Sequence, residues 1–537
     1  MTERGPDWPA RPAALSGEHM AAASHPAVAA VGSQVLAGGG NAIDATLAMA
    51  AMCWVALPGQ CGVGGDAFAL IREPDGAVWT VGGSGFGPDG ADPGFYRELG
   101  LPTIPLQGPL AVAVPGAMAA VAALHATGAT RPLSELWLAA VRAAERGLPC
   151  TAKTRADIIE HAADLAGDDG ARRSFLPGGR APETGKALRQ DQLAASIRLL
   201  AADPAAFYRG SLAERAVSAL RAGGAPFSGQ EWEACGEAAI GPALTGGYGG
   251  LVLHQTPPPS AGWMVVQQAA LCDGELAGMP WLSASAVHWL AAAARRAFAD
   301  RYERCGSDSP GWRELLTAAA VAQARRQLRA GVAAPAAGLV ADGDTTSTVA
   351  VDGHGRAVSF IHSLAFTFGA RMTIPGTGIM LNNRLGRGAY LLSGHPNEVR
   401  PRRRPLHTLN AWLLTDQAGR LRHVGNTPGG DGQVQWNMQL ISHLADHGLD
   451  PQQAVSAPRF TAFPGSDANV IGAPTELRCE SRLGDAVLAG LRQLGEQVRT
   501  LGPWEAGGSA LVISADHDRG CLAGGADPRQ EGVALGV

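Results

Sequence analysis

The sequence predicts a mixed α/β (α+β) fold, and three observations carry the prediction. Residues 26–36 and 42–56 place apolar side chains at helical spacing on either side of Gly38-Gly39-Gly40. Residues 67–81 and 347–361 are two β-type runs, each folded back through a glycine-containing turn. Between them, residues 116–330 are dominated by Ala, Leu and Arg, a helix-forming composition. At 537 residues the chain is long enough for about three domains or one large two-part fold.

In chain order, the first residues through His19 are polar, with no basic region leading into an apolar one, so no secretory signal is expected. A helix follows His25-Pro26 and stops at the three glycines; Asn41 is placed to cap a second helix through Ala56. Gly59-Gln60-Cys61-Gly62-Val63-Gly64-Gly65-Asp66 is a glycine-rich turn that lacks the spacing and the strand–helix context of a dinucleotide site. Residues 67–71 and 77–81 form a hairpin through Asp75-Gly76. The long helical region is broken by a Gly/Pro loop near 176–182 and by Pro257-Pro258-Pro259-Ser260. Residues 331–344 are rich in Ala, Gly, Pro and Asp and without period, as expected of an exposed linker open to cleavage. A second hairpin runs through 347–352, a His354-Gly355 turn and 357–361; 379–381 reads as a further strand, and helices are expected near 434–448 and 483–494.

Composition excludes several function classes. A net charge of −5 supplies no electrostatic footprint for nucleic acid or an anionic membrane. No run of 18 apolar residues marks a membrane-spanning helix. Eight cysteines without a CxxC pair fit buried or free thiols in a reducing compartment, which predicts a cytoplasmic protein. His443 and His447 are four apart on a predicted helix but lack the Glu of HExxH and a third ligand, so they read as a core-edge pair and no metal is expected. Residues 179–186 do not make a phosphate loop, because Ala187 stands where a Ser or Thr is required.

Candidate chemistry gathers at a few points. Thr345 sits at the mouth of a β-branched strand. Were the chain cut before it, one residue would carry both a nucleophilic hydroxyl and the α-amine that takes its proton. That amine has a reference pKa of roughly 7.7–8.0, so part of it is free base near neutral pH. Gly429-Gly430, ahead of a predicted helix, offer unobstructed backbone N–H groups of the kind that hold a developing oxyanion. Arg402-Arg403-Arg404-Pro405-Leu406-His407-Thr408 carries cations, an imidazole and a hydroxyl that can grip a carboxylate, and Asn382-Asn383-Arg384, at the end of the expected strand 379–381, can carry polar groups into a pocket.

Together these segments resemble the gamma-glutamyltransferase family of N-terminal-nucleophile hydrolases, nearly end to end. The resemblance rests on the order of Ser24-His25-Pro26, Gly39-Gly40-Asn41-Ala42-Ile43-Asp44-Ala45, Gly62-Val63-Gly64-Gly65-Asp66, Pro257-Pro258-Pro259-Ser260, Ala299-Asp300-Arg301, Asp344-Thr345-Thr346, Arg404-Pro405-Leu406, Pro428-Gly429-Gly430, Ala457-Pro458-Arg459-Phe460 and Ala526-Asp527-Pro528-Arg529. It implies a four-layer αββα sandwich built from two segments, 1–344 and 345–537, of a proenzyme that cuts itself between Asp344 and Thr345. The segments would stay together as a heterodimer, open to further homo-oligomerisation. It implies Thr345 as nucleophile, Ser363 as the hydroxyl bonded to it, and the amides of Gly429 and Gly430 as oxyanion donors, with no cofactor.

Departures from the family pattern bear on the substrate. Where the family holds a glutamyl α-carboxylate with an Arg and a Ser-Ser pair, this chain has Ser84 and His407-Thr408. Where the family holds the ammonium, it has Ala365, Arg384 and Arg387, and cations there repel an ammonium. Arg384, His407, Thr408 and Asn383 are therefore expected to read a small acidic or oxalyl-like acyl group. The pattern is similar to a divergent branch containing oxamate amidohydrolases and actinobacterial biosynthetic homologues of 4-alkylproline and lincosamide pathways, which implies amide or C–C hydrolysis. A glutathione or γ-glutamyl hydrolase is the alternative enzyme, and an inactive ligand-binding relic is the alternative of another class.

Overall fold

A computed structural model describes residues 11–331, 345–465 and 474–536. Two seven-stranded sheets lie at its centre, and every pairing within them is antiparallel. One runs Ala14–Ser16, Cys521–Ala526, Leu511–Asp516, Leu421–Asn426, Trp412–Thr415, Leu251–Gln255, Leu244–Tyr248. The other, which carries Thr345 at a strand mouth, runs Val533–Gly536, Met20–Ala23, Thr346–Val351, Ala357–Ser363, Asp66–Arg72, Val78–Gly83, Ala239–Pro242.

The strand period of two divides the side chains between layers. From the nucleophile sheet, Ala67, Ala69, Ile71, Ala350, Val358 and Phe360 pack into one core with the helices Pro26–Ala37, Ala42–Ala56 and Ala117–Gly128. The alternate residues, Phe68, Leu70, Val349, Val351 and Ile361, meet Leu413, Val424, Leu511 and Ile513 of the other sheet. That sheet turns Leu253, Trp412, Leu414 and Val512 outward onto Gly262–Cys272, Ala284–Arg304 and Gly432–Ala445. The order is helix, sheet, sheet, helix, the αββα sandwich that the resemblance implies.

Local signals account for most elements. Asn41 accepts from the backbone N–H of Asp44 while Asp44 accepts from that of Asn41, a capping box that starts the second helix. The hairpins Asp66–Arg72 with Val78–Gly83 and Thr346–Val351 with Ala357–Ser363 form as the sequence predicts. Two expectations are corrected. Residues 379–381 make only isolated bridges, to Gly64 and Thr373, because a glycine turn approaches them where a neighbouring strand would have to pair. The region 116–330 contains a short pair, Leu148–Pro149 with Ala187–Leu188, and gives the central sheets three strands, Ala239–Pro242, Leu244–Tyr248 and Leu251–Gln255; the first two are edge strands whose glycines and proline hid the strand pattern. The expected linker at 332–344, Asp344 included, lies outside the described residues.

Candidate active site

Thr345 is 2% exposed, and its Oγ1 donates to Ser363 Oγ at 3.0 Å. Ser363 Oγ also accepts from the backbone N–H of Ala365 at 2.8 Å. Ser363 pairs with Asp66 across the sheet. Continued by one residue, the neighbouring registers align Thr345 with Ser363 and Ser84 with Asp66. Four adjacent strand ends thus present Thr345, Ser363, Asp66 and Ser84 in a row on the face turned toward the other sheet. At a strand spacing of about 4.8 Å, the row is about 14 Å long.

Charged and polar partners face that row. Arg384 Nε lies 3.3 Å from Asp66 Oδ2, with the two residues 1% and 0% exposed. Burial pushes the Asp66 carboxyl up to about 6, against the pull of Arg384 and of the backbone N–H of Gly116. His407 Nε2 is 2.7 Å from Ser84 Oγ, and its ring meets Phe68 edge-on with centroids 5.0 Å apart. Burial holds the His407 imidazole well below its ordinary range, and Arg384, Arg301, Arg387 and Arg404 reinforce the effect, so the ring is neutral. Thr408 is buried beside it.

The loop after Ser363 is tightly held. Ala365 adopts φ +87°, a left-handed conformation that costs a side chain of L-configuration about 1–2 kcal/mol. Asn383 Oδ1 accepts from the N–H of Phe366 at 3.0 Å, while its Nδ2 donates to the carbonyl of Leu106. Arg387 Nη1 donates to the Ala365 carbonyl at 2.8 Å, and its guanidinium stacks 4.5 Å above the Phe366 ring.

Gly429 and Gly430 have φ of +123° and +57°. A Cβ on Gly429 would stand 2.1 Å from Trp436 Cζ3, so the indole moulds this turn and leaves only hydrogen at that position. The strand leading into the turn is tied to the one ending at Ser363: Asn426 Nδ2 donates to Ser359 Oγ, which donates to the Gly425 carbonyl at 2.9 Å. Arg301, 4% exposed, joins the two remaining pieces through Asp431 Oδ1 at 3.1 Å and the His407 carbonyl at 3.4 Å.

Of the predicted site residues, Thr345 and Ser363 meet directly, Arg384 and His407 face the same row, and Gly429-Gly430 enter from the opposite sheet. Sequence reasoning missed Asp66, Arg301 and Asp431 as partners of this site. Asp66 closes the Gly64-Gly65 turn and Asp431 follows Gly430, so their positions after glycine pairs were the available signal. His443 is not part of this row; it accepts from the indole N–H of Trp281 at 3.1 Å.

Four layers in this order, with a threonine at the mouth of an inner strand, define the N-terminal-nucleophile hydrolase fold. The chain belongs to the gamma-glutamyltranspeptidase family, whose model it matches over residues 28–537. Among curated relatives, it is 33% identical to the oxamate amidohydrolase proenzyme of Klebsiella pneumoniae, over 97% of this chain and 99% of that one. It is 31% identical to the glutathione hydrolase-like YwrD proenzyme of Bacillus subtilis, again over 97% and 99%. Among solved structures, the cephalosporin acylase from Bacillus halodurans superposes with a TM-score of 0.88 at 27% identity, over 100% of this chain and 99% of its own. The relatives support an enzyme of the N-terminal-nucleophile hydrolase class. No helix among the described residues is long and apolar enough to cross a membrane.

Proposed function

We propose that the chain is a proenzyme that cuts itself between Asp344 and Thr345, and that the freed Thr345 hydrolyses a small acidic or oxalyl-like acyl group from an amine. The observation that carries this reading is the hydrogen bond from Thr345 Oγ1 to Ser363 Oγ at the mouth of an inner strand. Relatives described as proenzymes support the maturation step.

In maturation, Thr345 Oγ1 attacks the carbonyl carbon of Asp344. The C–N bond breaks, the nitrogen gains the hydroxyl proton and becomes the α-amine, and water then opens the ester. In turnover, the same hydroxyl attacks the substrate carbonyl while the α-amine takes its proton. The N–H groups of Gly429 and Gly430 stabilise the oxyanion. The amine product leaves with that proton, and water releases the acid and restores Thr345. Segments 1–344 and 345–537 remain associated as a heterodimer.

The acidic substrate follows from charge. Arg384 and Arg387 occupy the region where the wider family holds an ammonium, and two cations there favour an anion. A carboxylate adjoining the scissile carbonyl is read by Arg384, with neutral His407 and Thr408 as hydrogen-bonding neighbours and Asn383 holding the loop. A charge-assisted bond of this kind is worth about 1.5–3 kcal/mol.

The test is the intact mass of the purified, denatured protein, followed by a side-by-side assay of oxamate, N-oxalyl amines and γ-glutamyl-p-nitroanilide. Two chains, the smaller beginning at Thr345, with turnover of the oxalyl compounds alone, are expected. A single chain would overturn the maturation step, and selective turnover of the glutamyl anilide would overturn the substrate class.

A further inference from the structure

Asp431 directly follows Gly430 and occupies the N-cap position of the helix Gly432–Ala445. An aspartate there ordinarily accepts from an N–H of the first helical turn. Asp92, Asp168 and Asp450 do so at the starts of other helices in this chain. The Asp431 side chain makes no capping hydrogen bond. The first N–H groups of its helix bond to the turn itself, Gly432 to the Gly429 carbonyl at 3.0 Å and Gln433 to the Gly430 carbonyl at 3.1 Å. The Asp431 carboxylate turns instead to Arg301, whose Nη1 is 3.1 Å from Oδ1. Its other oxygen is closely packed, since a Cβ on Gly465 would stand 2.1 Å from Oδ2.

Arg301 lies in the last turn of the 21-residue helix Ala284–Arg304. A cation at a helix C-terminus interacts favourably with the dipole from the surface, as Arg304 can with a side chain that is 51% exposed. Arg301 is only 4% exposed, and a guanidinium leaves water at a cost that its partners must offset. Its two terminal nitrogens go to different segments, Nη1 to Asp431 and Nη2 to the His407 carbonyl at 3.4 Å. The His407 N–H donates to the Pro259 carbonyl at 3.1 Å, so the backbone of that residue is held on both sides. A planar guanidinium fixes the angle between its two bonds, which the single nitrogen of a lysine does not.

We propose that Arg301 is a positioning residue, whose guanidinium sets the spacing between the Gly429-Gly430 turn and the His407-Thr408 segment. The inference rests on the hydrolase reading above, in which that turn supplies the oxyanion donors and that segment meets the acidic acyl group. Arg301 acts on the turn through Asp431 and on the segment through the His407 carbonyl. The helix forgoes its side-chain cap, and one cation makes both halves of the site address the same substrate.

The experiment separates the two halves with Asp431→Asn, Asp431→Ala and Arg301→Lys in the matured protein. Asparagine keeps an acceptor at Oδ1 without the charge, and alanine removes it. With oxamate, kcat is expected to fall about threefold in Asp431→Asn and about tenfold or more in Asp431→Ala, with KM within about twofold of the parent. Arg301→Lys keeps a cation beside Asp431 and loses the fork to His407, so KM should rise about threefold or more with kcat less affected. Lowered thermal stability with kcat and KM intact in all three variants would make Arg301 an element of the fold alone and overturn the proposal. Hydrogen exchange reads the tie without activity. Arg301→Met should speed exchange in residues 428–433 and in residues 405–410 together. Faster exchange in one of these segments only, or in neither, would overturn the proposal. A parent protein that turns over no oxamate would sink the hydrolase reading instead, and the exchange pattern would still decide whether Arg301 ties the two segments.

Discussion

Asp66 and Arg384 form an ion pair at 3.3 Å from which water is almost wholly withdrawn, one strand away from Ser363. The burial that pushes Asp66 up to about 6 makes the charge of this pair pH-dependent. Above that pH the carboxylate cancels part of the field that Arg384 offers a substrate anion. Below it Asp66 is neutral and no longer offsets Arg384. KM for an acidic substrate should therefore rise as pH increases through about 6. Asp66→Asn should remove the break and keep KM low at neutral pH. Measuring KM for oxamate between about pH 5 and 8 checks this, and the same break in Asp66→Asn would assign the titration to another group.

Thr345→Ala removes the only hydroxyl that the proposed cut uses. The variant should remain one full-length chain by mass and be inactive. A cut chain in that variant would refute self-cleavage. Ser363→Ala leaves the hydroxyl of Thr345 in place and removes its hydrogen bond to Ser363, along with the bond Ser363 accepts from Ala365, each worth about 0.5–1.5 kcal/mol. Maturation should slow by about two- to tenfold, read from the time course of the small chain; an unchanged rate would detach Ser363 from the nucleophile.

Gly429→Ala asks for a Cβ 2.1 Å from the Trp436 ring at a φ of +123°. The turn must move, and its N–H groups move with it. Loss of one oxyanion donor costs about 10²–10³ in kcat, so a drop of that order is expected with KM much less affected. A proportional rise in KM with kcat intact would mean that the turn binds substrate without stabilising an oxyanion.

Ala365 is a side-chain-bearing residue at φ +87°. Ala365→Gly relieves that strain and should stabilise the protein by about 0.5–1 kcal/mol after the entropic cost of glycine. Denaturant unfolding checks the sign. Destabilisation would mean that the buried methyl group contributes more packing than the backbone loses in strain.

Much of this was legible before any coordinates. The capping box at Asn41 and both inner hairpins follow from local patterns, and Thr345 stands out because a threonine at a strand mouth has a specific chemical use. The Gly429-Gly430 turn was also visible, whereas Trp436, which shapes it, was not: a tryptophan on a helix carries no mark of what lies against it. Arg384 was expected at the site, but its partner Asp66 is 318 residues away in sequence. Only the pairing of Ser363 with Asp66 brings the two together. The strands at 239–255 escaped notice because glycines interrupt the first two, and their sheet membership is decided by distant neighbours.

Both sheets draw strands from either side of Thr345. Five pairings join a strand before that residue to one after it: Ala14–Ser16 with Cys521–Ala526, Leu251–Gln255 with Trp412–Thr415, Met20–Ala23 with both Thr346–Val351 and Val533–Gly536, and Asp66–Arg72 with Ala357–Ser363. The products of the proposed cut are therefore not domains, since neither owns the whole of either central sheet. A cut at residue 345 changes the connectivity of the molecule and leaves its weave intact. On the proposed cut, each product would hold only part of either central sheet, so folding of the single polypeptide would have to precede its cutting.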